Sequence, residues 1–162
     1  MSLPKNIRVA SWLGSECVRS FIQNKNISDL RLENFAEHLS ALAHAEDVPE
    51  WDKEANNLDI TGLGDPLPEE LSQIRDLNLL VDSVREISAS QVYGAFQPTE
   101  VISYLEKAIK LSGLDLMKYN LERMNEISTE PEGFGVVLTK QVLQEFRPVS
   151  YTHLTLPTKR IV

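Results

Sequence analysis

Two histidines, His38 and His44, stand six residues apart. On a helix that spacing turns through about 240° at 3.6 residues per turn. One helix therefore cannot aim both at a metal. Glu37-His38 also lacks the second histidine that a zinc-binding helix motif requires. Both rings read as surface or helix-boundary residues. Asp59, Gly64 and Glu70 occupy the first, sixth and twelfth positions of a calcium loop. Leu63 stands at the fifth, however, where a side-chain oxygen is needed, and Pro66 and Pro68 spoil the loop geometry. Gly62-Leu63-Gly64 is not a dinucleotide fingerprint, because no strand precedes it; it reads as a turn. Cys17 lies on one apolar stripe with Trp12, Leu13 and Phe21, which suits a core thiol better than a nucleophile. No serine sits in a Gly-x-Ser-x-Gly setting. No catalytic residue, cofactor or metal is expected.

One segment combines charge with a large ring. Trp51 lies among Glu46, Asp47, Glu50, Asp52 and Glu54, beside a Gly/Pro-rich stretch. Carboxylates of this density attract a basic protein surface, and a tryptophan ringed by acid makes an anchor for it. Alternatively, Trp51 pins the neighbouring loop to the core. These six residues are the candidate partner-binding set.

The elements that position them follow from apolar spacing, which is helical almost throughout. Val9, Trp12, Leu13, Cys17, Phe21 and Ile22 form one stripe, ended by Asn24-Lys25-Asn26. Ser28 or Asp29 caps the next helix, whose stripe is Leu32, Phe35, Ala36, Leu39, Leu42 and Ala43. Pro49 opens a short third helix over 50–57. Residues 58–68 are irregular, with Leu58, Ile60 and Leu63 expected to fold back onto the core. Leu71, Ile74, Leu77, Leu80, Val81, Val84 and Ile87 form the longest stripe, with a kink or break marked by Asp76 and Asn78. Thr99 is expected to cap a helix over 100–112, and Gly113 to stop it. Helices over 114–127 and 136–146 follow, the first with Leu114, Met117, Leu121 and Met124 in register. Leu39, Leu80, Val84 and Leu105 are the positions expected to be most deeply buried. The fold class is all-α: a single-domain, irregular helical bundle of about six to seven helices over residues 1–147.

The chain has 162 residues and a formal charge of 16 − 24 = −8. Acidity argues against nucleic acid, whose phosphates are bound by Lys and Arg, and against anionic membranes. A single cysteine permits no internal disulfide, which suits a reducing compartment. Residues 1–22 lack a signal-peptide core, and no uncharged apolar run approaches the ~18 residues of a membrane span. The cytoplasm is the expected location.

The last fourteen residues, Val149 to Val162, resemble the translated mosaic-end adapter of transposase-based DNA libraries. In the frame GTC-TCT-TAT-ACA-CAT-CTG-ACG-CTG-CCG-ACG that adapter encodes Val-Ser-Tyr-Thr-His-Leu-Thr-Leu-Pro-Thr, which is identical to 149–158. A short sample index accounts for Lys159, Arg160 and Ile161, and GTG before a stop codon for Val162. The leading CT completes the codon of Pro148. The resemblance implies that the chain's own sequence ends at Arg147, that residues 148–162 are a non-native tail, and that the true C-terminus is missing. Without the tail the charge is 14 − 24 = −10, since Lys159 and Arg160 leave with it and no acid does.

Size, acidity and the absence of catalytic signatures point to a cytoplasmic interaction protein. It is similar in character to small acidic proteins, such as bacterial toxin-immunity proteins, that neutralise a basic partner. The alternatives are a helical enzyme or small-ligand-binding domain without a recognisable motif, and the N-terminal fragment of a longer protein.

Overall fold

The computed structural model describes residues 2–147, and the adapter-like tail lies outside them. The described residues form eight α-helices and two 3-10 turns, with no strand. The order is α1 (Ile7–Asn24), α2 (Leu30–Ala41), α3 (Val48–Lys53), a 3-10 turn (Glu54–Asn57), α4 (Glu69–Ser72), α5 (Leu77–Val92), α6 (Pro98–Ser112), a second 3-10 turn (Leu116–Lys118), α7 (Leu121–Asn125) and α8 (Lys140–Gln144). The all-α expectation holds. The count is eight because one long stripe is split into α4 and α5; two other expected helices are shorter and flanked by 3-10 turns.

α1 is the central element. It packs against α2, α5 and α6, while α5 also packs against α6. Burial on several sides explains why α1 buries polar residues as well as its apolar stripe. Most of their polar atoms find partners nearby, although Arg8 Nε has none among the described residues. Ser11 Oγ donates to the Leu39 carbonyl at 2.8 Å. Arg8 Nη1 donates to the Leu42 and Ala45 carbonyls, both at 2.6 Å, beyond the end of α2 where carbonyls lack intrahelical donors. Asn6 caps α1 through the Val9 amide at 3.0 Å and donates to the Phe134 carbonyl at 3.1 Å. α5 lies close against α1 at Gly14, where a Cβ would stand at ordinary contact distance, 3.4 Å, from Val84 and Ile87 side-chain atoms.

Two apolar cores result. One joins Ile7, Trp12, Leu13, Leu105, Met124 and Phe146; the other joins Cys17, Phe21, Phe35, Leu39, Leu80 and Val84. Leu39, Leu80, Val84 and Leu105 are all fully buried, as the stripes require.

The departures are local. Asp29, not Ser28, caps α2. Gln97 occupies the N-cap of α6 and Pro98 starts the helix, so Thr99 lies inside it; Pro98, with φ pre-set and no N–H to satisfy, wins the first turn. The long stripe breaks at Asp76, whose φ is +71°, dividing it into α4 and α5. Leu63 is 42% exposed, and Leu67 is buried beside Ile60 instead. Met117 is 85% exposed because residues 116–118 wind as a tighter 3-10 turn, which ruins an α-helical register. α8 begins only at Lys140, capped by Thr139. Ahead of it, Leu138 donates its amide to the Ala43 carbonyl at 2.7 Å, which holds the chain out of helical geometry. No helix among the described residues is long and apolar enough to cross a membrane.

Candidate functional site

The acidic segment is built by two helix ends. α2 terminates at Ala41, and a short turn leads to Asp47, the N-cap of α3. Asp47 accepts from the Glu50 amide at 3.0 Å, and Pro49 lies in the first turn. Glu50 in that turn is favourable for the helix dipole. Between the two ends lies a depression of about 320 Å³, lined by Glu46, Asp47, Glu50, Glu54, Trp51 and His44, with Ala41 and Ala45. Glu46, Asp47, Glu50 and Glu54 are all exposed. Four of the five predicted carboxylates therefore share one concavity. Asp52 does not join them: it is half-buried and accepts from the Tyr93 hydroxyl at 2.6 Å.

Trp51 is not an exposed anchor. It is 3% exposed and belongs to the core. Its Nε1 donates to the His38 carbonyl at 2.8 Å, and the His38 ring stacks on it at 4.4 Å with 4° between planes. Trp51 thus lines the depression as a buried residue whose partner is His38 on α2. His38 lies in the last turn of α2, at the helix boundary, but is 7% exposed rather than on the surface. Burial, reinforced by the charge of Arg85, holds its imidazole down at about 4, so the ring stays neutral near pH 7. His44 is exposed, and its Nδ1 lies 2.8 Å from the Leu138 carbonyl, which requires the proton on that nitrogen. The two histidines do not meet. Among the described residues, no group of three or more His, Cys, Asp or Glu side chains is arranged to hold a metal ion.

Sequence reasoning missed Arg85. It is the largest fully buried side chain, with its guanidinium carbon 5.7 Å from the Trp51 ring centre and 5.5 Å from that of Phe35. Its Nε donates to the Thr61 carbonyl at 2.6 Å, while Nη1 and Nη2 have no hydrogen-bond partner among the described residues. Burial pulls Arg85 down to about 10, against the opposing influence of Asp52, Tyr93 and Asp65. Arg85 stands one residue after Val84 on the edge of a stripe, where spacing alone cannot distinguish it from a solvated arginine. The segment 58–68 covers it. A Cβ on Gly62, whose φ is +73°, would lie 2.8 Å from the Arg85 Cβ. Asp65, on the same turn, accepts from the Thr61 hydroxyl and amide.

Cys17 is fully buried, and burial pushes its thiol up to about 12, which leaves it protonated and unreactive. The calcium-loop positions do not converge either: Glu70 pairs with Arg31 at 2.7 Å instead. Comparison with known protein families, curated proteins and solved structures finds no match to this chain.

Proposed function

We propose that this is an acidic, cytoplasmic interaction protein that binds a basic protein segment at the depression between α2 and α3. The observation that carries the reading is the gathering of Glu46, Asp47, Glu50 and Glu54 around one concavity of about 320 Å³. Clustered carboxylates focus a negative field, and a cleft strengthens that focusing. The reading is strengthened by the net charge of −8, which disfavours nucleic acid and anionic membranes as partners. Neutralisation of a basic protein, in the manner of toxin-immunity proteins, is the activity that suits this chemistry. Trp51 supports the floor and orients the rim; the rim carboxylates make the encounter.

The test uses an oligo-arginine peptide as probe, followed by amide NMR shifts of the whole chain. Saturable shifts at residues 44–54 are expected, weakening as salt shortens electrostatic reach to about 8 Å at 0.15 M. Reversing Glu46, Glu50 and Glu54 to Lys should weaken binding by more than about tenfold, with the association rate falling most. Asp47 is left intact because it caps α3. Binding that is unchanged in the triple variant would rule the depression out as the basic-partner site.

A further inference from the structure

A second cavity shares no lining residue with the acidic depression, and its chemistry is different. It encloses about 440 Å³ between the C-terminal half of α1 and the chain following α6. Its charged lining is Arg19, Lys118 and Arg147 against Glu16 and Asp115, a local balance of 3 − 2 = +1 in a chain of charge −8. Both acids are already engaged. Glu16 Oε1 accepts from the Tyr119 hydroxyl at 2.7 Å and forms an ion pair with Arg147 Nη1 at 3.2 Å. Asp115 accepts from the Met117 amide at 3.0 Å.

The cations keep donors to spare. Arg147 uses one nitrogen on Glu16, and its guanidinium lies over the Trp12 and Tyr119 rings, 5.4 and 5.3 Å from their centres. Trp12 and Tyr119 themselves pack edge to face at 5.9 Å. The guanidinium is therefore held in place before any ligand arrives. Arg19 spends one nitrogen on Glu37 at 3.0 Å, and the Lys118 ammonium makes no ion pair among the described residues. Burial and the Glu16 hydrogen bond raise the Tyr119 phenol above its ordinary value, so it remains a neutral hydroxyl.

We propose that this cavity binds a small metabolite carrying an oxyanion, a carboxylate or a phosphoryl group. Arg147 offers a fork that matches either oxyanion, while Arg19 on α1 and Lys118 on the chain following α6 add positive charge to the lining. The volume is in the range of pockets that hold small metabolites, about 300–1,000 Å³. A cationic ligand fits less well, since three cations line the cavity against two carboxylates and Glu16 is already paired with Arg147.

The test titrates the whole chain with citrate and, separately, inorganic phosphate, each balanced by sodium chloride at constant ionic strength. Amide NMR reports the site. Saturable shifts at Asn24, Gly113, Asp115 and Lys118 are expected with at least one probe, without matching shifts at residues 46–54. A response to citrate alone marks a carboxylate ligand, and one to phosphate alone a phosphoryl ligand. Arg19→Gln combined with Lys118→Gln should weaken binding by about tenfold or more, with the melting temperature unchanged. Lys118→Gln alone, at an exposed position, gives the same reading in smaller degree if the double variant unfolds. The proposal is overturned if neither probe produces saturable local shifts, or if the variants bind as the parent does. Neither result bears on the basic-partner site, whose residues lie elsewhere.

Discussion

His38 shows how far one side chain's environment can depart from its sequence context. Stacked on Trp51 and facing the charge of Arg85, its ring titrates at about 4 rather than 6.5. The unfolded chain takes up that proton near 6.5, and the folded chain resists it. His38 therefore contributes its full share of stability above pH 6.5, loses it as pH falls from 6.5 to about 4, and contributes nothing further below. The shift bounds the effect at about 3 kcal/mol. Urea unfolding at pH 7, 5 and 4 should show the parent losing stability faster than His38→Gln over that window; equal slopes would show that the ring is not held neutral by the fold.

At the scale of elements, the segment 58–68 closes over Arg85 because a single glycine permits it. Gly62 has φ +73°, and Arg85 lies beneath it; Gly64 has φ +98°, with no heavy atom within 4 Å of a Cβ built there. Gly62→Ala should therefore cost about 1–3 kcal/mol through backbone strain and the clash together. Gly64→Ala bears the backbone strain alone and should cost less. Thermal melts of the two variants decide the matter, and equal losses would mean that contact with Arg85 does not constrain the turn. The helices around this segment were legible where apolar residues recur over three or more turns, as in α1, α2, α5 and α6. They were not legible at 54–57, 114–120 and 136–139. There, 3-10 turns, a cap and a long-range hydrogen bond to Ala43 override periodicity.

Over the whole molecule, the C-terminal segment closes one core. Phe146 is fully buried and meets Trp12 edge to face at 5.5 Å, and its carbonyl accepts from the Asn120 amide at 2.6 Å. A chain ending at Thr139 should lose about 3–5 kcal/mol or more, the usual cost of removing a buried aromatic side chain. A chain ending at Arg147 should melt as the full chain does, because we propose that residues 148–162 are adapter-derived and were never selected to pack. Calorimetry of the two truncations separates these outcomes. A melting temperature lowered by removing 148–162 alone would count against a non-native tail.

Net charge, the single thiol, the helical class and the apolar stripes are properties of residue type and spacing, and the sequence by itself determined them. The clustering of Glu46, Asp47, Glu50 and Glu54 was partly visible too, because they lie within nine consecutive positions. Only the tertiary structure decided that they rim a depression, that Asp52 turns away to Tyr93, and that Trp51 lies flat beneath His38. It also brought Glu16, Tyr119 and Arg147 together across 131 residues of chain. The physical reason is that periodicity reports which face of a helix avoids water. Which polar groups meet once those faces are buried depends on how the helices cross, and local spacing carries no record of that.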